Sequence, residues 1–244
     1  MIEVQQLRKH FGAVKAVDGV SFKANDGQIT GLLGPNGAGK TTTLRMLYTL
    51  MKPDSGTVLV DQINAFAEPN QARRRLGVLP DARGLYKRLS AAENIEYFGQ
   101  LHGLEPELIR QRIAQLEQRL DLGEILHRRT EGFSQGQRVK TALARALIHD
   151  PPNLLLDEPG NGLDVMSTRA LREILRGLRA EGRCVLFSSH MMAEVAAVCD
   201  RIVVIAKGKV VADGSADELR ELTGTSSLED AFVKVIGTDE GLAA

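Results

Sequence analysis

A glycine-rich segment that ends in lysine and threonine holds the residues best suited to chemistry in this sequence. Residues 34–41 read Gly-Pro-Asn-Gly-Ala-Gly-Lys-Thr and match the pattern G-x-x-x-x-G-K-[ST]. Glycines let the backbone curl so that amide hydrogens face one anion, and the following helix directs its positive end there. Lys40 would neutralise the β- and γ-phosphates, and the Thr41 hydroxyl can ligate magnesium. The segment predicts a nucleotide-binding loop formed by Gly34, Pro35, Asn36, Gly37, Ala38, Gly39, Lys40, Thr41 and Thr42.

Two adjacent acids at the end of an apolar run are the second candidate. Asp157 and Glu158 follow the apolar residues 154–156, which have the length of a buried strand. The carboxyl end of a parallel strand lies at the sheet edge where a phosphate loop also lies, so Asp157 could hold magnesium there. Glu158 could polarise a water for attack on the γ-phosphate. Such a pair is also common in solvated turns, and the phosphate loop favours the catalytic interpretation.

The elements that must position these residues alternate between strand and helix patterns. Strand patterns cover much of the first 35 residues and recur later, and helical spacing lies between them and fills the middle of the chain. Alternation of this kind indicates a parallel sheet wrapped by helices. The predicted strands are residues 14–22, 29–33, 57–60, 154–156, 184–188 and 202–206, and the predicted helices are residues 40–50, 107–120, 139–148 and 165–180. We predict an α/β core over 1–90 and 150–220, an inserted helical subdomain over 91–149 and a short helical tail over 221–244.

Composition excludes several other classes of protein. Lys plus Arg and Asp plus Glu are both 31, so the net charge is zero and the broad positive field typical of nucleic-acid binders is absent. We therefore expect no nucleic-acid partner. No apolar run approaches the roughly 18 to 20 residues needed to span a bilayer, and the first residues lack the pattern of a signal peptide. The two cysteines, Cys184 and Cys199, have no metal-site spacing and are expected to be buried thiols of a cytosolic protein.

Three further fragments complete a recognisable set of motifs. They are the signature loop, Phe133-Ser134-Gln135-Gly136-Gln137, the aspartate loop, Gly162-Leu163-Asp164, and Ser188-Ser189-His190 at the end of a strand. Together with the phosphate loop and the acidic strand, they resemble the ATP-binding subunits of ABC transporters in order and approximate spacing, over nearly the whole chain. The resemblance implies one ATP-binding domain over 1–244. Its α/β fold would be a P-loop NTPase core, a mainly parallel sheet with helices on both faces, with an N-terminal antiparallel β subdomain and an inserted α-helical subdomain.

The resemblance also implies a role for individual residues. Phe11 matches the aromatic residue that stacks on adenine, although a strand residue packed in the sheet is the alternative. Ser134 and Gly136 match signature positions that reach the γ-phosphate of ATP held by the opposite subunit, and Gln137 at the end of this loop is a further candidate for ATP binding. His190 matches the histidine that contacts the γ-phosphate and the catalytic water, beside Glu158. Asp164 belongs to a loop that crosses the dimer interface.

Partners and cofactors follow from the same resemblance. ATP and Mg²⁺ are the implied cofactors, and two such subunits would close head to tail around two ATP molecules. Closure would drive a separate multi-span permease, placing this chain at the cytoplasmic face of the cell membrane. The second subunit is either another copy of this chain or a paralogue.

The chain departs from the family pattern at several positions. The usual signature is L-S-G-G-Q, and here Phe133 and Gln135 replace its first and third residues. A side chain at position 135 stands where close backbone approach is expected. Asp81 occupies the place of a family glutamine; it could reach magnesium, but when ionised it cannot donate a hydrogen bond. Gly160 stands where a serine or threonine is common.

The branch of the family is indicated by four short segments. Residues 84–86 and 89–94 resemble the sodium-export and drug-export branch, as do Phe11-Gly12 with residues 17–22. Sodium export is the predicted function, with drug, polysaccharide or haem export as alternatives. Two other classes stay open at this point: a soluble ABC-type ATPase, such as an iron–sulfur assembly factor, and a non-hydrolysing regulator that uses ATP as a dimerisation signal.

Overall fold

A computed structural model describes residues 1–237 as two sheets and a set of flanking helices. The strands are β1 (Ile2–Phe11), β2 (Val14–Ala24), β3 (Ile29–Leu33), β4 (Ser55–Val60), β5 (Ile63–Asn64), β6 (Leu76–Leu79), β7 (Asn153–Asp157), β8 (Cys184–Ser189), β9 (Arg201–Ala206) and β10 (Lys209–Gly214). The helices are α1 (Lys40–Leu47), α2 (Pro69–Arg74), α3 (Ala91–Leu101), α4 (Pro106–Leu120), α5 (Gln135–Leu147), α6 (Val165–Ala180), α7 (Met192–Val198), α8 (Ala216–Thr223) and α9 (Leu228–Ile236).

The larger sheet has six strands in the order β10-β9-β3-β8-β7-β6. All neighbouring pairs are parallel except β10 with β9. The smaller sheet is antiparallel, with the order β2-β1-β4-β5. This arrangement confirms the predicted α/β P-loop NTPase fold, in which β8 lies between β3 and β7 and brings their carboxyl ends to one edge.

Both faces of the large sheet are buried because successive residues of each strand point to opposite sides. Leu154 and Leu156 of β7 pack in a cluster with residues of α3–α7. Leu155, between them, packs in a second cluster with residues of α1 and the antiparallel sheet. The apolar run at 154–156 is therefore a strand buried on both faces, and its carboxyl end meets the edge where the phosphate loop leaves β3.

Most predicted elements are confirmed, and the differences have local causes. The predicted helix over 40–50 ends at Leu47, and Thr49 adopts a left-handed backbone conformation with φ +60°. The sequence pattern did not single out α2 or β10. The tail predicted over 221–244 contains the end of α8 and all of α9, and its last seven residues lie outside the described chain. Between α3 and α5, the described chain is helical or irregular apart from an isolated bridge joining Ser90 and Arg129.

Candidate nucleotide site

The glycine-rich loop between β3 and α1 wraps around the side chain of Lys40. The Lys40 side chain is only 5% exposed, and its Nζ donates hydrogen bonds to the carbonyls of Gly34 (2.7 Å) and Pro35 (3.2 Å). Gly39 precedes the helix with φ +106°, and a Cβ there would lie 2.3 Å from the Ala16 carbonyl oxygen. Only glycine fits this position, because both the backbone angle and the close approach exclude a side chain.

The two strand ends beside the loop hold a network of hydrogen bonds around Asp157. Thr41 Oγ1 and Ser188 Oγ both donate to Asp157 Oδ1, at 3.1 and 2.6 Å. Ser188 Oγ in turn accepts from the amide of Glu158 at 3.0 Å. The parallel register pairs Asp157 with Ser188 and thus makes this contact. Sequence reasoning assigned no role to Ser188, and its only signal was its place at the end of a strand.

Glu158 lies between a cation and a histidine. Its backbone turns out of β7 with φ +47°, and its carboxylate lies 3.5 Å from Lys40 Nζ and 2.8 Å from His190 Nδ1. A hydrogen bond to the carboxylate requires the proton on Nδ1, which leaves Nε2 of a neutral imidazole as an acceptor. The His190 side chain is 37% exposed and that of Glu158 is 13% exposed, so the pair borders an open space.

A cavity of about 480 Å³ brings many of the predicted residues together. Its lining residues are Ala16, Asn36, Gly37, Gly39, Lys40, Thr41, Thr42, Asp81, Glu158, Asn161 and His190. Ala16 and Asn161 were not predicted, because a small residue of β2 and a loop asparagine carry no motif. Asp157 does not itself line the cavity, but it accepts a hydrogen bond from the lining residue Thr41. Gly34, Pro35 and Ala38 belong to the same loop but are not among the residues that line the cavity.

The signature loop and the aspartate loop lie together, outside this cavity's lining. Ser134 begins α5 with a capping box, in which its hydroxyl accepts from the Gln137 amide and the Gln137 side chain accepts from the Ser134 amide. A Cβ on Gly136 would lie 2.5 Å from Ser167 Oγ. Ser167 also donates to Asp164, which caps α6, and these hydrogen bonds lower the pKa of the Asp164 carboxyl.

Phe11 lies at the end of β1, where the residue is 49% exposed and is not packed into the sheet. Lys9 Nζ lies 5.8 Å from the centroid of this ring. Phe11 is not among the residues that line the cavity, and its stacking on adenine stays a prediction.

Gly160 leaves room for Glu194 from α7. A Cβ at position 160 would lie 2.0 Å from Glu194 Oε1, so a serine or threonine there would displace this carboxylate. Glu194 accepts a hydrogen bond from Ser189 Oγ at 2.7 Å, and Ser189 Oγ accepts from the Met191 amide at 3.0 Å. Glu194 therefore holds the turn that carries His190.

The oxygen atoms near the phosphate loop suit magnesium. Mg²⁺ is commonly held by one or two carboxylates together with substrate phosphates and water. Among residues 1–237, no cluster of three or more His, Cys, Asp or Glu side chains forms a metal site by itself. Thr41, Asp157 and Asp81 would thus supply a partial ligand set that fits a metal bound together with a phosphate.

Replacing Asp157 with asparagine is expected to stabilise the metal-free protein, whereas the loss of a native carboxylate usually destabilises a fold. Burial raises the pKa of the Asp157 carboxyl, and the charges of Asp81 and Glu158 act in the same direction against hydrogen bonds from Ser188 and Thr41. The stability that this group contributes is therefore present below its ordinary pKa of 3.8 and is lost as the pH rises through its raised folded value. Without magnesium, Asp157→Asn should be more stable than the wild type at neutral pH, and the gap should narrow in acid.

The free energy of unfolding of the metal-free proteins, measured with urea from neutral to acidic pH, checks the sign of this stability difference. Asp164→Asn is a control of opposite sign, because the pKa of Asp164 is lowered and its contribution is lost as the pH falls. An Asp157→Asn protein that is less stable by the same amount at every pH would contradict the prediction.

Comparison with known proteins places this site in a family. The family model described as ABC transporter matches residues 17–161. The chain is 43% identical over 221 residues to the ABC transporter ATP-binding protein NatA of Bacillus subtilis (strain 168), covering 90% of each chain. It is 40% identical to Nod factor export ATP-binding protein I of Ralstonia nicotianae, covering 90% of this chain and 68% of that one.

A solved structure is similar along most of the chain. It is a dimeric ATP-binding cassette in a post-hydrolysis state bound to ADP and Pi, with a TM-score of 0.80 and 25% identity. The match covers 88% of this chain and 98% of that one. Among residues 1–237, no helix is both long and apolar enough to cross a membrane. The family-model match over more than half of the chain and the similarity to NatA along 90% of it show that the chain belongs to the ABC transporter family, as an ATP-binding subunit with an ATPase domain.

Proposed function

We propose that this chain powers export through a separate membrane permease, by closing head to tail with a second ATP-binding subunit around two ATP molecules. The observation that carries the proposal is the separation of the site into two parts. Lys40, Glu158 and His190 border the cavity, whereas Ser134 and Gly136 lie outside its lining. In the proposed dimer, the second subunit brings its signature loop to these phosphates. The solved relative bound to ADP and Pi is itself a dimer, which supports this arrangement.

In this proposal each group at the cavity has one task. Lys40 neutralises the β- and γ-phosphates, and Asp157, Thr41 and Asp81 hold Mg²⁺ beside them. Glu158 accepts the proton of the attacking water, and His190 orients the water and the γ-phosphate. When bound, Mg²⁺ supplies charge neutralisation at the phosphate oxygens. Phe11 stacks on adenine, Gln137 and Asp164 belong to the face that meets the second subunit, and Gly34–Thr42 cradle the phosphates.

We further propose sodium ions as the cargo and the cytoplasmic face of the cell membrane as the location. Support comes from residues 84–86 and 89–94, which resemble the sodium-export and drug-export branch. Export of a drug, a polysaccharide or haem is the alternative, and the relative named for Nod factor export supports a cargo other than sodium. The division into a core over 1–90 and 150–220, a helical subdomain over 91–149 and a tail over 221–244 belongs to the same proposal.

Two measurements test the proposal in order. Affinity purification from detergent-solubilised native membranes should recover a multi-span polypeptide in stoichiometric amount. Recovery only with soluble partners would overturn the transporter role and favour a cytosolic ABC-type ATPase. With the permease in hand, inside-out vesicles should accumulate ²²Na⁺ on addition of ATP, and vesicles containing Lys40→Met should not. ATP-driven uptake of a drug without sodium uptake would reject sodium as the cargo.

A further inference from the structure

Arg83 is a buried arginine in the loop that follows β6, two residues beyond Asp81. Its side chain is 9% exposed and its guanidinium reaches two loops. Nη1 donates to Oε1 of Gln135 at 2.6 Å, and Nη2 donates to the carbonyl of Asn161 at 2.9 Å. Asn161 lines the nucleotide cavity, and Gln135 belongs to the signature loop. One side chain therefore joins the wall of the cavity to the loop outside it.

The backbone of Arg83 is held by the same helix that begins at the signature loop. Arg145, near the end of α5, donates to the Gly84 carbonyl at 2.7 Å and also to the Arg83 carbonyl. Its guanidinium carbon lies 4.4 Å from the centroid of the Phe98 ring. The loop at 80–84 thus lies along α5, tied to the end of the helix by Arg145 and to its beginning by Arg83.

Gln135 replaces a glycine of the usual signature, and the structure shows where its side chain lies. It turns towards Arg83 and the aspartate loop, with Nε2 3.5 Å from the position of a Cβ on Gly162. A glycine at 135 would offer no side-chain acceptor to Arg83. The unusual residue of this signature loop is therefore the one that makes the bond.

The packing of Arg83 is hard to explain by stability alone. Burial lowers the pKa of its guanidinium, and Nε is buried with no hydrogen-bond partner among residues 1–237. Its backbone is left-handed, with φ +47°. Strained backbone and incompletely paired buried charges both destabilise a fold, and an apolar side chain of similar size is often as stable or more stable.

We infer that Arg83 is a positioning residue that holds the signature loop in register with this chain's own nucleotide cavity, through Gln135 on one side and Asn161 on the other. The inference rests on the proposed head-to-tail dimer, in which Ser134 and Gly136 meet ATP held by the partner. A rigid forked donor suits this task, because one planar group fixes two acceptors at once. Closure around ATP in one site is then transmitted to the loop that completes the other.

The test compares Arg83→Met and Gln135→Met with Arg88→Met, which removes an exposed cation from the same segment. We expect kcat for ATP hydrolysis by the purified full chain to fall about tenfold for Arg83→Met, corresponding to about 1.4 kcal/mol. The affinity for a fluorescent ADP, which lacks the γ-phosphate, should not change, and the thermal midpoint should hold or rise. Arg83→Lys should retain part of the activity because it reaches one acceptor, and Arg88→Met should behave as the wild type.

A double variant separates a shared bond from two independent effects. Arg83→Met with Gln135→Met should be no slower than Arg83→Met alone, since both remove the same contact. In a Glu158→Gln background, the ATP concentration needed for half-maximal dimerisation should rise about tenfold with Arg83→Met.

Three results would overturn the inference: losses that multiply in the double variant, a fall in ADP affinity equal to the fall in kcat, or a lowered thermal midpoint that accounts for the lost activity. Failure of the proposed function has a different signature. In that case Glu158→Gln would leave hydrolysis unchanged, or ATP would fail to drive dimerisation of any variant.

Discussion

Replacing Glu158 with glutamine is expected to slow ATP hydrolysis about 10²- to 10⁴-fold, the range typical of losing a general base. Glutamine has the same shape, so it can still accept a hydrogen bond from His190 Nδ1, which lies 2.8 Å from the carboxylate. It cannot take a proton from water near neutral pH. Nucleotide affinity should hold or increase, because a negative charge is removed beside the phosphates.

Phosphate release under single-turnover conditions, together with titration of a fluorescent ATP, checks this prediction. Glu124→Gln is a matched control, since Glu124 is an exposed acid of the turn between α4 and α5 and does not line the nucleotide cavity. Hydrolysis at the wild-type rate would remove Glu158 from the proposed role of base. A loss of ATP binding would show instead that the carboxylate mainly holds Lys40 in place.

Lys40→Met is expected to weaken ATP binding by a factor of roughly 10 to 150, since a hydrogen bond to a charged group contributes about 1.5 to 3 kcal/mol. The ammonium group is buried at the centre of the loop and is held by two carbonyl oxygens. Among the described residues that line the cavity, Lys40 is the only lysine or arginine. Its loss also leaves the Glu158 carboxylate without the cation 3.5 Å away. Hydrolysis should then fall further than binding.

Isothermal titration with ATP in the presence of Mg²⁺ measures the expected loss of ATP affinity. Lys52→Met is the control, because Lys52 is exposed and lies just after α1. Equal affinity in the Lys40→Met and Lys52→Met proteins would show that the loop amides alone bind the phosphates. A Lys40→Met protein that fails to fold would be recognised by its circular dichroism, and Lys40→Arg would then provide the comparison.

The phosphate loop shows how much could be predicted from the sequence. Its function depends on backbone conformation and on contiguous residues, and both are encoded locally. Gly39 is required by its own φ of +106°, and Lys40 is required by its charge at the start of a helix. The same holds for the strand before Asp157, since a short apolar run bounded by polar residues is enough to predict it.

Contacts between distant parts of the chain could not be predicted in the same way. Ser188 supports Asp157 because a parallel register sets them side by side, 31 residues apart in the sequence. Glu194 fills the space left at Gly160 through the packing of α7 against the loop after β7. Neither contact has a motif, because the partner is chosen by geometry and not by spacing.

Gln135 is the clearest case of the difference. As a residue in a sequence, it is a departure from a glycine and raises doubt about the loop. In the structure, it accepts a hydrogen bond from Arg83, 52 residues earlier. Residue type, periodicity and short spacing are enough to predict the nucleotide loop, most of the strands and helices, and the family. The side chains that support Asp157, Glu158 and the signature loop could be identified only in the folded chain, because hydrogen bonds between distant segments depend on sheet register and helix packing.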